Sequence, residues 1–213
     1  MMDASHEHKP GVKPAPFDTV LGVWNGITVH SCDYDSVPSM SHWKCPDAYR
    51  SELNGTVCGF KWQCVELARR YLLLTSGVVF DSIPMAYDIF DLKSIRRVSD
   101  GKLFKMTAHV NGGKMHPIVG SLLIWKPKGF FKVTGHVAII SAVHPGSVEI
   151  VEQNVEDTVW PKGVNYSRLL RADTAPDGSF TVHCTYDDTI VWGWMNHQVP
   201  PPSQEASDRE EMR

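Results

Sequence analysis

The stretch Gly59–Leu74, GFKWQCVELARRYLLL, has a helical pattern. Phe60, Cys64, Leu67, Ala68, Tyr71 and Leu72 fall at i, i+4, i+7, i+8, i+11 and i+12, one apolar stripe of an α-helix. Glu66 and Arg70, spaced i, i+4, read as an ion pair on the opposite face. The helix begins near Cys64, which places the thiol in the first turn, where unpaired backbone N–H groups and the helix dipole favour a thiolate. A packed core cysteine occupies the same kind of position, since free cysteines are among the most buried side chains. Cys64 is therefore either a core thiol or a nucleophile.

Working outward, a second helix is expected across Ser82–Val98, SIPMAYDIFDLKSIRRV. Met85, Ile89, Phe90 and Leu92 cluster at helical spacing there, and Pro84 suits a first turn. Beyond Gly120 the character changes. GSLLIWKP, GHVAIISAV, SVEIVEQN, SFTVHCTYD and IVWGWM are short β-branched or aromatic runs separated by Gly, Pro and Asp, as in an antiparallel sheet. Helices first and strands afterwards indicate an α+β domain, with N-terminal helices packed on a C-terminal antiparallel sheet. Residues 1–18 and the Pro-rich, charged stretch 199–213 read as disordered tails around a domain spanning 19–198.

The chain has 213 residues, 42% of them apolar, which suits one domain with a substantial core. A net charge of −3 and a pI near 6.3 provide no broad basic field, so neither nucleic acid nor an acidic membrane is an expected partner. No run approaches the roughly 18 apolar residues of a membrane helix, and the N-terminus has no signal-peptide core. A soluble, cytoplasmic protein is expected. Cys32, Cys45, Cys58, Cys64 and Cys184 are odd in number and irregularly spaced, which favours free thiols, and without a C-x-x-C pair no metal site is expected.

The sheet offers partners for the thiol. His136 in TGHVAII enters an otherwise apolar strand, where a polar ring needs a hydrogen-bond partner. The next strand ends in Glu152, Gln153 and Asn154, and HPGS between them signals a hairpin. A two-residue turn pairing His144 with Ser147 leaves His136 and Glu152 on opposite faces. A three-residue loop with Gly146 in a left-handed bulge pairs Val143 with Ser147, sets His136 opposite Asn154 and puts Glu152 on the diagonal. Only the second register brings a nucleophile, a base and a carboxylate orienter together.

GFKWQCVELARR, TGHVAII, EQN and DDT…GWM, together with SCDYDS, GVVF…MAYDIF and GSLLIW, resemble the CHAP family of papain-like cysteine amidases over nearly all of Leu21–Met195. Within it, the likeness is to the amidase domains of glutathionylspermidine synthetases and, more distantly, of trypanothione synthetases. The resemblance implies Cys64 as nucleophile, His136 as the proton acceptor that later protonates the leaving amine, and Glu152 as the group that holds the imidazole. Papain places an oxyanion glutamine six residues before its cysteine, and position 58 here is Cys, so Gln63 and the backbone N–H of Cys64 are the implied substitutes. Asn154 either supports the site or ends the strand. Arg69 either binds the glutathione end of a substrate or is a solvated helix charge. Asp33 and Asp35 either attract a polyamine arm or shape a turn.

In those relatives an ATP-dependent synthetase domain follows the amidase. This chain shows no Gly-rich phosphate loop, so hydrolysis without a cofactor is the implied activity, with a small-molecule or peptide amide as substrate. A glutathione–polyamine amide is the leading substrate. The alternatives are an endopeptidase for peptidoglycan-type D-alanyl-glycyl links and, from another class, a non-catalytic or redox-sensing module in which Cys58 resolves an oxidised Cys64.

Overall fold

The computed structural model describes residues 13–38 and 46–200. Its centre is a nine-stranded antiparallel sheet in the order β12-β11-β10-β9-β8-β13-β7-β6-β5. The strands are β5 (Val78–Val79), β6 (Ser94–Arg97), β7 (Leu103–Val110), β8 (Leu122–Trp125), β9 (His136–His144), β10 (Ser147–Val151), β11 (Arg168–Thr174), β12 (Phe180–Val182) and β13 (Val191–His197). One α-helix, α1 (Cys64–Ser76), lies among the described residues, and the class is α+β as expected. Gly77, at φ 64°, closes α1 by donating its N–H to the carbonyls of Leu72 and Leu73.

The sheet is covered on both faces, which is why β9 reads as a nearly continuous apolar run. Val137 and Ile139 pack with Leu67, Ala68, Tyr71 and Leu72 of α1. Ala138 and Ile140 face a second cluster containing Trp125, Phe180 and Trp194.

Three expectations change. The helix expected over Ser82–Val98 is a 3-10 turn, Ala86–Asp91, followed by β6, because Ile95 alternates with exposed neighbours and the segment pairs with β7. Strands also precede α1: β1 (Val20–Trp24) pairs with β2 (Ile27–His30), and β3 (Arg50–Leu53) with β4 (Thr56–Phe60), so Phe60 is a strand residue rather than part of the helical stripe. Their turns are Asn25-Gly26 and Asn54-Gly55, all four at positive φ, the Asn-Gly signature of two-residue hairpins. Residues 13–18, read as tail, are held in place: Ala15 N–H donates to the Asp157 carbonyl at 2.7 Å and the Phe17 ring stacks on Tyr34 at 4.9 Å. The remaining predicted tail lies outside the described residues except 199–200. Among those residues no helix is long and apolar enough to cross a membrane.

The β9–β10 hairpin fulfils the site register by an unexpected route. Its turn has two residues, Pro145 and Gly146, and pairs His144 with Ser147, not Val143 with Ser147. The extra residue comes further along: Glu149 pairs with Ala142 but Ile150 with Ile140, leaving Ser141 as a bulge. From there Val151 pairs with Ile139, the register in which Glu152 lies diagonal to His136. Gly146 has φ 85° and open space around it. Gly146→Val is therefore expected to cost about 1–3 kcal/mol of stability through backbone strain alone. Thermal unfolding together with cross-strand NOEs checks this; the Val151–Ile139 contact should persist, and its loss would show that the turn, not the bulge, sets the register.

Candidate active site

Three adjacent strands each place one polar side chain on the same sheet face. In β9, β10 and β11 the residues Ala138, Ile140, Val148, Ile150, Leu170 and Ala172 share the second core cluster. By period-two alternation His136, Glu152 and Arg168 continue those rows at the end of the sheet nearest the start of α1. All three are buried: His136 is 2% exposed, Glu152 4% and Arg168 8%.

The imidazole is clamped. Its Nε2 lies 2.9 Å from Glu152 Oε2, Phe131 stacks parallel to it at 4.6 Å and 8°, and Trp125 tilts against it at 5.2 Å. Cys64 lies near enough to the ring to act on it electrostatically. Burial disfavours the imidazolium, but the interactions with Cys64 and Glu152 together outweigh burial and raise the His136 pKa to about 9. Burial likewise opposes ionisation of Glu152, and Arg168 and His136 reverse it, holding the carboxyl at about 2. The guanidinium of Arg168 donates through Nε to Oε1 and through Nη2 to Oε2 at 2.9 Å. Glu152 also anchors through its backbone, donating its N–H to Ser167 Oγ at 2.9 Å.

Gln63 and Asn154 join this site. Asn154, at φ 64° just past β10, donates Nδ2 to Gln63 Oε1 at 2.7 Å, which fixes the amide so that Nε2 faces Cys32 Sγ at 3.3 Å. Cys32 is thus the thiol placed beside the helix start, while Cys58 Sγ lies on β4 and donates to the Thr56 carbonyl at 3.7 Å. Burial pushes both thiols up. The thiols of Cys32, Cys58, Cys64 and Cys184 are free, and no cluster of metal-ligating side chains occurs among the described residues.

Arg69 is not brought to Cys64; five residues along α1 sets the two about 140° apart around the axis. Its guanidinium donates to the carbonyls of Phe80 and, at 2.8 Å, Val57. Asp33 is buried at 8% exposure, and its carboxylate makes no hydrogen bond or ion pair among the described residues, whereas Asp35 is exposed.

The Glu66–Arg70 pair forms as read, at 2.7 Å, but it is buried rather than solvated. Ser51 Oγ and Gln153 Nε2 donate to Glu66 at 2.7 and 3.0 Å; Arg70 donates to Gln153 Oε1 at 3.0 Å and to the Thr28 carbonyl at 2.8 Å. The N-terminal hairpins that cover this face of α1 were not anticipated, hence the misplacement. Gln153 and Arg168 were missed as well. For Arg168 a signal exists: in RLLRA it shares the period-two phase of Leu170 and Ala172, and a charge in a buried phase requires a counter-charge.

Residues 55–154 match the CHAP domain family. The chain carries a CHAP domain. Cys64, His136, Glu152, Gln63 and Asn154 all fall inside the matched segment. Over 182 residues, 85% of its length, the chain is 41% identical to the bifunctional glutathionylspermidine synthetase/amidase of Escherichia coli, spanning 29% of that protein. It is 31% identical to the trypanothione synthetase of Crithidia fasciculata over 88% of its own length and 27% of the relative's, and 28% identical to the glutathionylspermidine synthase of the same organism over 91% and 28%. The chain thus spans under a third of these relatives.

The depressed Glu152 pKa fixes a sign. A carboxyl held below its ordinary value stabilises the fold above that value, and the contribution is lost as pH falls toward about 2. The stability difference between the wild type and Glu152→Gln should therefore be largest near neutral pH and shrink on acidification below pH ~4.5. Urea unfolding across that range checks it; a difference independent of pH would contradict an ionised Glu152.

Proposed function

We propose that this CHAP domain is a thiol-dependent amidohydrolase that cleaves the amide between the glycine carboxyl of a glutathione-like peptide and a polyamine. The observation that carries this reading is the buried imidazole of His136, held by Glu152 at 2.9 Å and near enough to Cys64 to interact with it electrostatically. With the proton of the Cys64–His136 pair already on the imidazole, the Cys64 sulfur attacks the amide carbonyl carbon and the carbonyl oxygen becomes an oxyanion. The backbone N–H of Cys64, free of an intrahelical acceptor as the first residue of α1, and the Nε2–H of Gln63 are the proposed donors to it. His136 then gives its proton to the amine nitrogen, the C–N bond breaks, and the amine leaves a thioester on Cys64. Water attacks the thioester, His136 takes its proton, and the glutathione carboxylate departs as the thiolate is restored.

The polyamine assignment is supported by Asp33. A carboxylate on a largely buried residue, without a partner among the described residues, is suited to an ammonium group, and Asp33 adjoins Cys32, whose sulfur meets Gln63. The names of the Escherichia coli and Crithidia fasciculata relatives point to the same substrate class.

Incubation with glutathionylspermidine should release spermidine and glutathione, detected by mass spectrometry, while a glycine-bridged muropeptide should remain intact; the reverse pattern would favour the peptidoglycan alternative. Cys64→Ala should abolish turnover. His136→Ala should lower kcat by about 10²–10⁴-fold, and Glu152→Ala by less, since it removes an orienter and not the proton acceptor. Turnover retained in Cys64→Ala would overturn the mechanism.

A further inference from the structure

We propose that Arg168 is a positioning residue of this site, the fourth member of a row Cys64–His136–Glu152–Arg168, which fixes the plane and the charge of Glu152 and thereby the orientation of His136. The proposal rests on the hydrolase reading above, and its test is built to be separable from it.

The geometry is a fork. Oε1 of Glu152 accepts from Arg168 Nε, and Oε2 accepts both from Arg168 Nη2 and from His136 Nε2, each at 2.9 Å. Two parallel charge-assisted bonds set the carboxylate plane as a single bond does not, and that plane decides where Oε2 meets the imidazole. Arg168 is in turn placed by groups other than Glu152: Nη1 donates to Thr185 Oγ1 at 2.8 Å, and the guanidinium lies 4.6 Å from the Tyr186 ring centroid. The clamp therefore has its own support, from the segment between β12 and β13.

A cation is needed at this point. Glu152 is buried, and a buried carboxylate without a cation takes up a proton. A neutral carboxyl at Oε2 no longer holds an imidazolium, so the proton that His136 must carry loses its counter-charge. The charged and titratable groups facing Glu152 are His136 from β9 and Arg168 from β11. Cys64 lies beyond the first; Tyr186, Cys184 and Glu156, which accepts from the Tyr186 hydroxyl at 2.9 Å, lie beyond the second. Arg168 is the fixed positive charge among them. It touches neither the thiol nor the reacting carbonyl, so its action passes through Glu152.

The alternative is a buried ion pair that only joins β10 to β11, and two readouts separate the cases. The first uses no substrate: alkylation of Cys64 by iodoacetamide across pH, followed at the Cys64 peptide by mass spectrometry. In Arg168→Met the acid limb of this profile should move to higher pH by at least one unit, because both the loss of a nearby cation and protonation of Glu152 disfavour the reactive pair. Arg168→Lys, which keeps the charge and loses the fork, should restore the acid limb. The second uses glutathionylspermidine: Arg168→Met should lower kcat by about 10–100-fold with KM within about twofold, and should add almost nothing in a Glu152→Gln background, as expected of residues acting as a unit. If Arg168→Met does not fold, Arg168→Lys still tests the fork, with a lowered kcat at an unshifted acid limb. An alkylation profile identical to the wild type in a folded Arg168→Met, or Arg168→Lys with wild-type kcat, would overturn the proposal. Absence of any amide turnover by the wild type would overturn the hydrolase reading while leaving the alkylation result to decide the role of Arg168.

Discussion

The Glu152 carboxylate, shut away from water and held ionised between a guanidinium and an imidazole, constrains the rest of this structure. Burying such a charge is costly unless it is paired and hydrogen-bonded on both oxygens. Here the partners come from the strands on either side, Arg168 of β11 and His136 of β9, so the registers of two ladders must agree at one atom group. The Ser141 bulge is the device that makes them agree. Without the extra residue, the pairing of His144 with Ser147 would carry Glu152 to the face where α1 packs on Val137 and Ile139.

The three residues that follow β10 have three different tasks. Glu152 turns to the imidazole, Gln153 reaches under α1 to Glu66 and to the Gln63 carbonyl, and Asn154 fixes the side chain of Gln63. A left-handed backbone at Asn154 lets the chain leave the strand there. The start of the helix is therefore attached to the strand end next to His136 by hydrogen bonds from consecutive residues, which places the thiol opposite the imidazole. Arg70 and Glu66 serve the same purpose from the helix side, and their burial follows from the hairpins β1–β2 and β3–β4 that lie over them.

Much of this was legible in the sequence where the pattern is local. The helical stripe located α1 and put Cys64 at its start, and the apolar runs beyond Gly120 marked β8, β9, β10, β12 and β13. The requirement that His136 and Glu152 share a face predicted an irregular hairpin, though its position in mid-strand depends on packing that no turn motif encodes. The Asn25-Gly26 and Asn54-Gly55 hairpins were readable and were passed over in favour of an N-terminal helical region. Ser82–Val98 misled for a different reason: its apolar spacing fits a helix, but Ile95 is paired into the sheet beside β7. Asp33, Gln153 and Arg168 owe their meaning to contacts across the fold, and of these only Arg168 left a trace in the strand alternation.

The central claim, that Cys64, His136, Glu152 and Arg168 form one electrostatic unit, is tested most directly by titrating the imidazole. Long-range ¹H–¹⁵N spectra, with the His136 resonance assigned from a His136→Gln variant, read its ionisation without any substrate. The structure predicts a midpoint near 9 in the wild type, moving down toward the ordinary 6.5 in Cys64→Ala. A wild-type midpoint near 6.5 that is unaffected by Cys64→Ala would contradict it.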